Sequence, residues 1–207
     1  ELQDCNVLVI TTRSKACYGS QEIDDILGFV RDGGGLLLLS NHADCRNNPH
    51  DARKHDKRLA AESGVTIERT FVANRQNSLL TRLQGLCLNE AHPIIRGLPG
   101  EEPIRCIVTN TCASIVSDLG GRVVSLYDSM IDRRNGNPPS EEQLFAHALD
   151  SGQGSDPKAR GRVVTIGDSG FIGSVGTNSP GRGLLELDDN RRFIINAIRW
   201  LGGELDA

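Results

Sequence analysis

Four consecutive leucines, Leu36–Leu39, stand directly behind three glycines, Gly33–Gly35. Successive side chains of a strand point to opposite faces, so a run that is apolar at every position is buried on both. This segment therefore reads as an interior strand covered on two sides. The residues ahead of it complete a unit. Residues 6–12, Asn-Val-Leu-Val-Ile-Thr-Thr, form another apolar run that ends in hydroxyls. Ser20 is placed to cap a helix whose Ile23, Ile26, Leu27 and Val30 share one face, and Asp32 with the glycines stops it. Strand, helix, tight turn, strand implies a right-handed crossover and parallel pairing.

Residues 51–63 read as a helix ended by Gly64, and 65–72 as an alternating strand. Residues 74–89 leave open a short helix, and 92–99 read as a structured loop. Short strands are expected at 104–109, 112–116 and 122–127. Residues 128–160 read as a long polar loop excursion with a short helix near 141–148. Arg162-Val-Val-Thr-Ile166 is a further buried strand that ends at Gly167-Asp168-Ser169-Gly170. The last helix, capped by Asp188 or Asp189, carries Phe193, Ile194, Ala197, Ile198 and Leu201 on its apolar face, and Gly202-Gly203 ends it.

The 207 residues suit one domain, residues 1–207, without an internal repeat, and need neither disulfides nor a structural metal for a core. The scarcity of aromatics beside many Leu, Ile and Val fits a parallel sheet covered on both faces. The net charge of -4 with scattered arginines argues against nucleic acid as a partner, and no apolar run approaches a membrane span. Cys5, Cys17, Cys45, Cys87, Cys106 and Cys112 form no C-x-x-C pair. Reduced thiols in a cytoplasmic protein are the simplest reading, with secretion left open.

Three stretches resemble the class I glutamine amidotransferase-like superfamily, nearest its ThuA-like and related uncharacterised branches. They are Phe29-Val30-Arg31-Asp32-Gly33-Gly34-Gly35-Leu36-Leu37-Leu38-Leu39 followed by His42; His92-Pro93-Ile94 with Gly97-Leu98; and Gly161-Arg162-Val163-Val164 with Gly167-Asp168-Ser169, then Asp189-Asn190-Arg191-Arg192-Phe193 through Ala197-Ile198-Arg199-Trp200-Leu201. The resemblance implies a three-layer, doubly wound, mostly parallel α/β sheet of flavodoxin-like type. The strand and helix with which such domains begin have no counterpart ahead of residue 6. Amidotransferases place a nucleophilic cysteine in the turn after the strand that matches Leu36–Ser40. That turn here is Ser40-Asn41-His42-Ala43-Asp44-Cys45, so amidotransferase activity is not implied. His42 matches the histidine of the ThuA-like branch, which is linked to sugar metabolism.

Ligands of an open parallel sheet bind beyond the carboxyl ends of its strands. Three such ends are polar here: Thr11-Thr12-Arg13, Asn41-His42-Ala43-Asp44, and Asp168-Ser169. They suggest a hydrolase for a small sugar-related, ester or lactone substrate held by Thr12, Arg13 and Asn41. In a metal-assisted form, His42, Asp44 and Asp168 hold zinc or calcium, with His50, Asp51, His55 and Asp56 nearby. In a serine form, Ser169 is the nucleophile, His42 its base and Asp44 the orienter. Cys45 offers a thiol alternative. No nucleotide cofactor is expected. The blander readings are a solvated loop at 41–56 and turn caps at Asp168 and Ser169. The rival function is a non-catalytic ligand-binding or assembly module, homo-oligomeric through an exposed sheet edge.

Overall fold

The computed structural model describes residues 2, 4–12, 16–44, 51–76, 80–126, 130–150, 161–172 and 183–206. Along the chain these form β1 (Val7–Thr11), α1 (Ser20–Arg31), β2 (Gly35–Leu39), a 3-10 turn (Ala52–His55), α2 (Lys57–Glu62), β3 (Thr66–Ile67), β4 (Val72–Asn74), β5 (Thr81–Gln84), α3 (Pro93–Arg96), β6 (Cys106–Thr109), β7 (Thr111–Cys112), β8 (Ile115–Val116), β9 (Arg122–Ser125), β10 (Met130–Asp132), β11 (Leu144–Asp150), β12 (Arg162–Ile166) and α4 (Asn190–Leu201).

The main sheet runs β1-β2-β12-β11-β8-β3, with β9 also paired to β11. β1, β2 and β12 are parallel neighbours. β11 runs against β12, and β8 and β9 run against β11, so both point with the first three strands again. β3 opposes β8. The sheet is thus mostly parallel in strand direction within a mixed α/β protein. Two smaller antiparallel sheets, β10-β4-β7 and β5-β6, flank it.

Leu36–Leu39 are all 0 % exposed, as a two-sided apolar run requires. Leu37 and Leu39 join Val164, Ile166, Phe193 and Ala197 in one core cluster, while Leu36 and Leu38 join Ile23, Ile26, Leu59 and Val163 in another. Helices therefore lie against alternate side chains of the same strand, α4 with the first set and α1 and α2 with the second. Each such leucine contributes about 1.5–3 kcal/mol on burial. Gly33, at φ 108, makes the turn between α1 and β2 in a backbone region that side chains avoid.

Several local expectations are corrected. Ser20 is the first helical residue of α1 rather than its cap; Gly19 precedes it, and its N–H donates to Glu22 Oε2 at 2.8 Å. Residues 65–72 divide between β3 and β4, which belong to different sheets. Residues 141–148 contain no helix: Leu144–Asp150 is strand β11, buried at all but its last position. Its apolar side chains recur at nearly every position because β11 lies inside the sheet, bonded on both sides. On α4 the core stripe passes through Trp200, 6 % exposed, while Ile198 is 38 % exposed. Among the described residues no helix is long and apolar enough to cross a membrane.

Candidate functional site

In the shared register Thr11 of β1 and Ile166 of β12 both pair with Leu39 of β2. The residues that follow, Thr12, Ser40 and Gly167, therefore leave the sheet along one rim. Thr12 Oγ1 donates to Asp56 Oδ2, and Ser40 Oγ donates to the same oxygen at 3.0 Å. Asp56 is fully buried beneath them. On the other side of β2, Asn41 Nδ2 donates to Ser169 Oγ at 2.9 Å, while Asn41 Oδ1 accepts the His42 N–H at 2.8 Å. The rim thus joins three strand ends that are far apart in sequence.

The turn after β12 is fixed by close approach. Gly167 donates its N–H to Phe145 O and accepts from the Ala113 N–H, both at 2.9 Å. A Cβ at Gly167 would lie 2.2 Å from the Ala113 carbonyl oxygen, so no larger residue fits. Asp168, 4 % exposed, then turns its carboxylate inward. Oδ2 accepts from Thr109 Oγ1 at 2.9 Å and Oδ1 from the Gly170 N–H at 2.8 Å. Burial pushes its carboxyl up to about 6, against the hydrogen bonds from Thr109 and from the backbone of Gly170, Asn110 and Phe171, which favour the charged form.

Asp44 points elsewhere. It pairs with Arg69 at 3.1 Å and with Arg134 at 2.7 Å, and the Arg69 hydrogen bond leads in holding its carboxyl below the usual range. His42 Nδ1 lies 2.9 Å from Ala43 O, a contact that needs the proton on Nδ1. Its ring centroid is 4.1 Å from that of Phe71. The partner of the Ser169 hydroxyl among the described residues is the Asn41 amide, not an imidazole. Among the described residues no three of His, Cys, Asp or Glu gather as a metal-ligating group. Asp51 pairs with Arg53 at 3.3 Å. Arg13, Cys45 and His50 lie outside the described residues.

His92 and Arg192 are held in structural contacts. His92 Nδ1 accepts the Ile94 N–H at 3.2 Å at the start of α3, and burial lowers its imidazole to about 4. Arg192 pairs with Asp189 at 2.5 Å, whereas Arg191 turns to Glu186.

Asp56 and His55, expected only as neighbours of a metal site, make contacts that the sequence did not foretell. Asp56 anchors the rim through Thr12 and Ser40, yet nothing in a polar stretch marks it from Asp51. His55, 6 % exposed, places Nδ1 at 3.8 Å from Cys17 Sγ. Its Nε2 has no hydrogen-bond partner among the described residues, a burial that costs about 1–3 kcal/mol. Cys17 lies between β1 and α1, 38 positions away, and no spacing signal links the two.

No family model matches the chain, and no curated protein matches it. Solved structures do. The "mmIFT52 N-terminal domain" superposes with a TM-score of 0.69 at 12% identity, covering 97% of this chain and 79% of that one. A "putative thua-like protein" from Parabacteroides merdae ATCC 43184 gives 0.50 at 13% identity, over 99% and 72%. At such identities the likeness concerns the fold alone. It supports the ThuA-like fold suggested by the three sequence stretches.

Proposed function

We propose that this chain is a non-catalytic module of doubly wound, three-layer α/β architecture that works by pairing its outer strand with a second copy of itself. The observation that carries the reading is the commitment of the candidate catalytic groups to internal partners. Asp168 spends its carboxylate on Thr109 and Gly170, and Ser169 is engaged by Asn41. Asp44 is held by two arginines. A serine hydroxyl needs a base within hydrogen-bond reach to act as a nucleophile. The partners found here lock a turn instead.

The outer strand supports the choice of partner. β1 ends the main sheet, and among the described strands it pairs only with β2. Its sequence Val-Leu-Val-Ile-Thr carries no charge and no proline, and Val9 at its centre is 44 % exposed. Edges that stay monomeric are usually blunted by lysine, proline or a bulge. An uncharged, regular edge pairs with its own copy about a two-fold axis, because antiparallel strands of one sequence are self-complementary. Sedimentation equilibrium tests this. The expected result is twice the 22.4 kDa chain mass for the wild type, and one chain for Val9→Lys with an unchanged circular dichroism spectrum. A monomeric wild type, or a Val9→Lys variant that remains dimeric, overturns the reading.

A further inference from the structure

We infer that Cys17 is a thiol–disulfide exchange site and that His55 is its base. Among the described cysteines Cys87 and Cys112 are buried and Cys106 is partly so, whereas Cys5 and Cys17 are exposed. Only Cys17 of these two has an imidazole against it. Its Sγ lies 3.8 Å from His55 Nδ1, and its S–H also reaches the Lys54 carbonyl oxygen as a donor at 3.6 Å. An exposed sulfur is reachable by a reagent; a 94 %-buried ring beside it is not washed by solvent and keeps its orientation.

The second observation concerns that ring. His55 Nε2 is buried with no partner among the described residues, so the imidazole is not held as a structural hydrogen-bonding bridge. His92 and His147 each set a ring nitrogen against the backbone, at the Ile94 N–H and the Gly120 carbonyl, and His55 does not. Among the described residues the polar contact of His55 is the thiol. A base on one side of an accessible sulfur is the minimal arrangement for an activated thiol.

The step balances with a small aliphatic disulfide of the glutathione class as co-reactant. The Cys17 S–H proton passes to His55 Nδ1 as Sγ attacks one sulfur of the disulfide. The Cys17–sulfur bond forms and the reagent's own S–S bond breaks. The departing thiolate takes the proton from the imidazolium and leaves as a thiol. Cys17 is oxidised to a mixed disulfide while half of the reagent is reduced. The result is one modification per chain rather than turnover, and it is independent of pairing through β1.

The test uses dithiobis(nitrobenzoate) as the disulfide, with the whole chain, following released thiolate and assigning the modified peptides by mass. In the wild type, Cys17 is expected to react at least roughly tenfold faster than Cys5. His55→Asn should slow Cys17 by a similar factor, leave Cys5 unchanged and keep Cys87 and Cys112 protected; added imidazole should restore the Cys17 rate. Equal rates at Cys17 and Cys5 in the wild type overturn the inference, and that comparison needs no variant to fold. So does an unchanged Cys17 rate in a folded His55→Asn chain, or an equal slowing of both thiols.

Discussion

Asn41 Nδ2 donates to Ser169 Oγ at 2.9 Å, joining residues 128 positions apart at the ends of two parallel strands. The bond fixes the loop after β2 against the turn after β12. If its role is to hold these two ends together, Ser169→Ala costs about 1 kcal/mol, the usual worth of one such bond with a partly exposed partner. Urea unfolding checks this. A loss several times larger would mean that the hydroxyl does more than anchor Asn41.

Asp168 gives a pH signature of known sign. Its carboxyl titrates near 6 when folded, against 3.8 for an ordinary aspartate. Below about pH 4 both states hold the proton. As pH rises toward 6 the unfolded chain sheds it first, so folding takes up a proton and stability falls. Above 6 the loss is complete. Asp168→Asn does not titrate, so the unfolding free energy of the wild type minus that of the variant should fall by on the order of 3 kcal/mol over this window. A difference that stays flat from pH 4 to 6 would contradict the buried, back-bonded carboxyl.

Gly167 allows a sharp contrast. Alanine there would push its Cβ into the Ala113 carbonyl, forcing the turn after β12 away from the segment between β7 and β8. The expected cost is about 2–3 kcal/mol, in the range of overpacked sites. Gly28→Ala inside α1 meets nothing closer than 3.8 Å and should instead gain about 0.5–1 kcal/mol. Chemical denaturation of both variants against the wild type measures the two signs together.

Much of the framework was legible because burial on both faces writes itself into sequence. β1, α1, β2, β12 and α4 follow directly from apolar runs and helical spacing bounded by glycine. The same rule did not reach residues 141–148, expected as a short helix in a polar loop and found to carry strand β11. Leu144, Phe145, Ala146 and Leu149 carry i, i+1, i+2 and i+5 spacing around a buried His147, and a buried polar residue in a polar stretch reads as a surface helix. His147 is tolerated because its Nε2 meets the Gly120 carbonyl, a contact made by folding and absent from any local pattern.

At the rim, the convergence of Thr12, Asn41 and Ser169 could be read from strand ends alone, since parallel register delivers it. The partners of Asp44 and Asp168 could not. Arg69, Arg134 and Thr109 come from distant segments, and a carboxylate poised for chemistry looks identical in sequence to one that closes a turn. Asp56 and the Cys17–His55 contact were hidden for the same reason.

We propose that the strand-end residues build a turn and not a hydrolytic centre. This is tested most directly by turnover on a panel of esters, lactones and glycosides, comparing wild type, His42→Ala and Ser169→Ala at equal folded concentration. The account predicts release no faster than buffer for all three. Hydrolysis by the wild type that disappears in either variant would contradict it.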